Sequence, residues 1–158
     1  MRKKSKYKPR PRLVDPVGFV VESVKPLAEL DDYVLKWKLK NHEAFAALMR
    51  GQAGKTDIDT LAAARNISEA LMVLLDGSDV DGTLARSAVA IIDLCDRGNA
   101  GKALVMRAQE MQAMRDLMQL HDELLDVVTI RQFEDALAYA KKEIAAGRAT
   151  RMKEIAHG

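Results

Sequence analysis

The sequence predicts an all-α fold, a compact bundle of five to six helices preceded by an extended basic N-terminal arm. Apolar residues recur at steps of three and four along most of the chain, and no segment alternates polar and apolar for long enough to make a strand. Aromatic residues fill only 4% of positions, so Ala, Leu, Val, Ile and eight Met carry most of the 48% apolar share. Helices pack well with such side chains, whereas a sandwich draws on aromatic and β-branched residues to cover a pleated surface. A chain of 158 residues fits one domain around one core.

The arm comes first. Residues 1–12 contain Arg2, Lys3, Lys4, Lys6, Lys8, Arg10 and Arg12, seven positive charges with no acid. Residues 13–158 hold 18 Lys and Arg against 23 Asp and Glu, so a net charge of +2 hides an arm of +7 and a body of −5. Like charges repel, and Pro9 and Pro11 fix φ and remove backbone donors, so residues 1–14 read as an extended, polyproline-like segment. Asp15-Pro16 then offers an N-cap and a proline at the first helical position, with Val17, Val20, Val21 and Val24 at helical spacing in a short helix that Pro26 breaks.

The helical domain is expected to span residues 15–147. A helix from Asp32 to Arg50 places Val34, Trp37, Phe45, Leu48 and Met49 on one stripe and Lys36, Lys38 and Lys40 on the other face, with Gly51 as terminator. Thr56 caps the next helix, where Leu61, Ala64, Ile67, Leu71 and Leu74 recur and the last turns are apolar nearly all round, which marks the central element. After the turn at 76–82, Leu84, Ala88, Ile91, Ile92 and Cys95 form the stripe of a helix that ends near Gly98. Gly101 precedes the longest helix, to about Asp126, with Leu104, Met111, Met114, Met118 and Leu125 on one face and Leu117, Leu120, Leu124 and Val128 on another. Thr129 and Gln132 form a capping box for the last helix, marked by Ile130, Phe133, Leu137, Ala140 and Ile144. Residues 148–158 are a short C-terminal tail.

The candidate chemistry reduces to structure. Gly54-Lys55-Thr56 ends like a phosphate-binding loop, but Met49 stands where the first glycine belongs and no buried strand precedes it. Asp76, Asp79 and Asp81 before Gly82 suggest a calcium loop. With Gly82 at its sixth position, however, Gly77 and Ala88 occupy the first and twelfth, where ligands are indispensable. A solvated turn that caps a helix is the expectation. His121 has no second histidine or cysteine at helical ligand spacing, so it reads as a hydrogen-bonded structural residue, as does His42. Cys95 on its apolar stripe reads as a small core side chain whose thiolate is disfavoured. Met106, Met111, Met114 and Met118 read as core filling, or else as an adaptable binding groove. No catalytic residue, cofactor or metal site emerges. One cysteine excludes an internal disulfide, no run of about 18 apolar residues exists to span a bilayer, and Asp15 and Pro16 interrupt any signal peptide. A cytoplasmic protein away from membranes is expected.

Met1-Arg2-Lys3-Lys4-Ser5-Lys6-Tyr7-Lys8-Pro9, Leu39-Lys40-Asn41-His42, and Arg107-Ala108-Gln109-Glu110-Met111 with Leu120-His121-Asp122 resemble segments of small uncharacterised accessory proteins from phages and prophages of proteobacteria. The resemblance implies no cofactor or catalytic residue. It implies the setting of a mobile-element protein that binds a host or phage macromolecule in a bacterial host, such as nucleic-acid-handling or defence machinery. Within that setting the strongest feature is the arm. Arg2, Lys3, Lys4, Lys6, Lys8, Arg10 and Arg12, with Tyr7 to stack on a base and Lys36, Lys38 and Lys40 nearby, are the candidate contacts to nucleic acid or to an acidic protein partner. A virion or self-assembling structural component is the remaining expectation, since a helix apolar on two sides allows a homo-oligomer.

Overall fold

The computed structural model describes residues 24–79 and 81–148. The residues of the basic arm, the short helix expected from Asp15, and residues 149–158 of the tail lie outside them. Among the described residues, five α-helices follow a 3-10 turn at Leu27–Glu29: α1 Asp31–Met49, α2 Lys55–Leu74, α3 Thr83–Asn99, α4 Ala108–Val127 and α5 Ile130–Ala145. Helix α2 is the hub and packs against all four others. Helix α4 lies against α1, α2 and α3, and α5 lies against α2. The all-α bundle predicted from periodicity is therefore observed.

Local chemistry sets the helix ends. Asp31 and Asp32 occupy the first turn of α1, where the helix dipole favours negative charge. The start of α2 differs from expectation: Gly54, not Thr56, is the cap, and its N–H donates to the Asp57 carboxylate at 2.8 Å. Asp79 accepts from the Leu84 and Ala85 N–H groups at 2.9 and 3.0 Å. The acidic turn thus caps α3, while Gly82 takes the left-handed φ of 67° that lets the chain enter the helix. The Thr129 and Gln132 box holds as predicted, Gln132 N–H donating to Thr129 Oγ1 at 3.2 Å and Thr129 N–H to Gln132 Oε1 at 2.9 Å.

The fourth helix begins later than its apolar pattern suggests. Residues 102–107 are not helical, and Leu104 belongs to this connecting strap. Arg97 holds the strap by donating to the Val105 carbonyl at 3.1 Å, the strap's own Met106 is buried in the first core cluster, and the Glu110 carboxylate accepts the Arg107 N–H at 2.7 Å. At 20 residues α4 is no longer than α2. Stripes also differ at their margins: Ile92 is 38% exposed, Met49, Val73 and Leu74 face solvent, and the buried face of α3 runs through Leu84, Ser87, Ala90, Ile91, Leu94 and Cys95.

The interior holds two apolar clusters rather than one. The first joins Phe45 and Leu48 of α1, Ile58 and Leu61 of α2, Ile91 and Leu94 of α3, and Met114 and Leu117 of α4. The second joins Leu27, Val34, Ile67, Leu71, Leu125, Val128 and Phe133. At its edge Tyr33, Trp37 and Phe133 meet edge to face, with centroids 5.6–6.5 Å apart. The chain enters this end of the bundle through Leu27 N–H to Val128 O at 2.8 Å and Ile130 N–H to Lys25 O at 3.0 Å.

Candidate functional site

Arg2, Lys3, Lys4, Lys6, Tyr7, Lys8, Arg10 and Arg12 lie outside the described residues, so the body is where geometry speaks. The three α1 lysines do not share one face. Two residues along a helix is a rotation of about 200°, which leaves Lys36 and Lys40 on one exposed row and turns Lys38 toward α4. There Lys38 Nζ donates to Asp126 at 2.6 Å.

A polar layer separates the two core clusters. Asn41 of α1, Ser68 of α2 and His121 of α4 are each fully buried at the level where one cluster gives way to the other. Ser68 Oγ donates to the Ala64 carbonyl at 2.9 Å, so its remaining contact, 2.9 Å from His121 Nδ1, accepts the ring N–H. This fixes the tautomer: His121 Nε2 carries the lone pair. Nε2 and the Asn41 amide nitrogen meet no hydrogen-bond partner among the described residues. Burial pushes the His121 ring down from the ordinary 6.5 to about 4; Asp122 opposes that, while Lys38 and His42 add to it. His42 is at the exposed rim, its Nε2 2.7 Å from Asp122. The structural reading of His121 is observed, and His42 is hydrogen-bonded but exposed. Ser68 and His121 are both closed to solvent.

Two further groups are shielded by the fold. Arg97 forks onto Glu110 at 2.7 and 2.6 Å, with side chains 15% and 6% exposed. Burial pushes the Glu110 carboxyl up, but the Arg97 and Arg107 contacts outweigh it and hold the group below its usual value. Cys95 is buried, and burial followed by the charges of Asp59 and Asp96 pushes its thiol up to about 11. Among the described residues, no group of three or more His, Cys, Asp or Glu is placed to hold a metal, and no helix is long and apolar enough to cross a membrane.

Among the described residues, a concave surface runs along the antiparallel pair α3 and α4. One part, of about 490 Å³, has Ala90 and Ala113 as its floor, Val89 as an apolar lip, and Arg86, Asp93, Gln109 and Gln112 around it. A second part of about 340 Å³ continues past Arg86 to Asp81, Thr83, Asp116, Gln119 and Glu123. Five carboxylates and one guanidinium line the whole groove, and one of the five, Glu110, is already engaged by Arg97. The guanidinium of Arg86 is itself turned onto Asp116 at 3.2 Å and onto the Asp81 carbonyl. Val89, 59% exposed, and Ile92 stand on the outer edge of α3. The sequence reading placed Ile92 on the buried stripe of this helix and gave Val89 no role, and the groove was missed because its two walls come from separate helices.

Compared with known protein families, with curated proteins and with solved structures, the chain matches none.

Proposed function

We propose that the protein is a non-enzymatic accessory protein of phage or prophage type that acts by docking on a host or phage protein, its basic arm strengthening the attachment electrostatically. One observation carries this reading: charge is segregated, and seven of the 16 cations in residues 24–148 are already paired with carboxylates of the body. Residues 24–148 carry 16 Lys and Arg against 20 Asp and Glu. Lys38, Lys55, Arg65, Arg86, Arg97, Arg131 and Arg148 each sit on a carboxylate of the same chain. An acidic body repels a polyanion, so a partner that meets both parts offers acidic groups to the arm and a protein surface to the apolar-lipped groove. Capture from nuclease-treated bacterial lysate, with full-length chain and with chain lacking residues 1–12, tests it. A discrete protein retained by the first and lost by the second at moderate salt is the expected result; no retained protein overturns it.

A nucleic-acid-binding module is the second reading, favoured by the exposed Lys36 and Lys40 row and by Tyr7 within the arm. Seven phosphate contacts on duplex DNA give a log–log salt slope of about −6. Oligonucleotide affinity that is unchanged by removal of residues 1–12 excludes that reading.

A further inference from the structure

The α3–α4 groove is shaped and charged for a cationic, extended peptide, and we infer that it is the docking site of the chain's own residues 1–12. Charge complementarity is the first ground. Asp81, Asp93, Asp116 and Glu123 line the groove, and its lone cation Arg86 already leans on Asp116. Residues 1–12 carry seven positive charges and no acid. Five of these, Lys4, Lys6, Lys8, Arg10 and Arg12, stand at every second position. Along an extended, polyproline-like chain that spacing sets a cation about every 6 Å, dense enough to meet each carboxylate of the groove in turn.

Where the chain enters is the second ground. Leu27 and Lys25 hydrogen-bond to Val128 and Ile130, so residue 24 stands beside the C-terminal end of α4. Glu123, at the near end of the groove, is about 7.5 Å up that helix, and Gln109, at the far end, is about 21 Å beyond it. Residues 13–23 span about 16 Å if helical and about 36 Å if extended, so either form reaches the near end. Twelve extended residues cover about 37 Å, enough for the full groove.

The contact goes beyond the function proposed above and does not depend on it. Its pairs are solvent-exposed and weak, but tethering supplies an effective concentration of order mM, which gives partial and readily displaced occupancy. A partner richer in anionic groups would draw the arm away, so the same seven charges serve as a plug and then as a tether.

Paramagnetic broadening in the full-length chain tests it without any partner. Ser5→Cys carries the spin label, since Cys95 is buried. The amides of Val89, Asp93, Gln112 and Asp116 are expected to lose about half their intensity at roughly 50 mM salt and to recover at roughly 500 mM, where the Debye length falls to about 4 Å. Asp93→Asn with Asp116→Asn and Glu123→Gln should abolish the loss. Lys4→Gln with Lys6→Gln and Lys8→Gln, which leave the groove intact, should do the same. Broadening confined to α1 or α5, no broadening at low salt, or broadening only between labelled and unlabelled copies of the chain would each overturn the inference. The last would assign the groove to a second copy.

Discussion

His121 makes the body sensitive to acid in a calculable way. The ring is closed to solvent, Nδ1–H is committed to Ser68, and Nε2 has no partner among the described residues, so a second proton is disfavoured until about pH 4. In the unfolded chain the ring takes that proton at its ordinary 6.5. Between these values the unfolded state binds more protons, so stability rises with pH across the window and falls as pH is lowered through it. From pH 8 to pH 5 the loss is about 2 kcal/mol, and below pH 4 it reaches about 3 kcal/mol. With a urea slope of about 2 kcal/mol/M, the midpoint should drop by about 1 M between pH 8 and pH 5. His121→Gln, which cannot titrate, should flatten that dependence whatever it does to absolute stability. In a carbon-detected titration the His121 ring should remain neutral down to about pH 5. A ring midpoint near 6.5, or an equal loss of stability in the Gln variant, would refute the reasoning.

Three other perturbations have expected outcomes. Arg97→Met leaves the Glu110 carboxylate buried without its fork and should cost about 3 kcal/mol. The double variant with Glu110→Met should cost at least 1 kcal/mol less than the sum of the single changes, measured as a double-mutant cycle of urea unfolding; additive losses would mean that the pair is not coupled. Asp79→Ala removes the oxygens that accept the Leu84 and Ala85 N–H groups and should cost about 1 kcal/mol, a fall of about 3 °C in the melting midpoint, which an unchanged midpoint would contradict. Cys95, with its thiol pushed up to about 11 and its sulfur buried, should react with an aromatic disulfide at pH 8 at least about 100-fold more slowly in the folded protein than in urea, and equal rates would place it at the surface.

The parts of the fold that local rules govern were legible in the sequence. Val34, Phe45 and Leu48 mark α1 because one face of a helix must be apolar to be buried, and Thr129 with Gln132 mark the start of α5 because a hydroxyl and an amide at that spacing satisfy orphan N–H groups. The strap at 102–107 was not legible, because what holds it is largely tertiary: Arg97, on the preceding helix α3 and 13 residues from Glu110, donates to the Val105 carbonyl. The same holds for the polar layer. Ser68 and His121 are 53 residues apart, and read singly each is only a polar residue on an apolar stripe. At the candidate site, sequence identified the charge of the arm but not the groove, whose carboxylates lie on two helices that only folding brings together.

The polar layer and the groove are consequences of one choice, the rotation of α4. His121 must face inward to reach Ser68, and a buried polar atom that loses its partner costs about 1–3 kcal/mol, so turning α4 by one residue, about 100°, is penalised at this layer. Lys38 with Asp126 and His42 with Asp122 hold the same rotation at the α1 side, and Arg97 with Glu110 and Arg86 with Asp116 hold it at the α3 side. With His121 fixed inward, Gln119 and Glu123, each about 200° from it, and Asp116, about 140° from it, turn outward along the groove. An apolar residue at 121 would bury as much surface and leave no orphaned nitrogen, but it would make no contact that depends on where Ser68 stands. Keeping a histidine there gives up some stability for a polar contact that only one orientation of α4 makes.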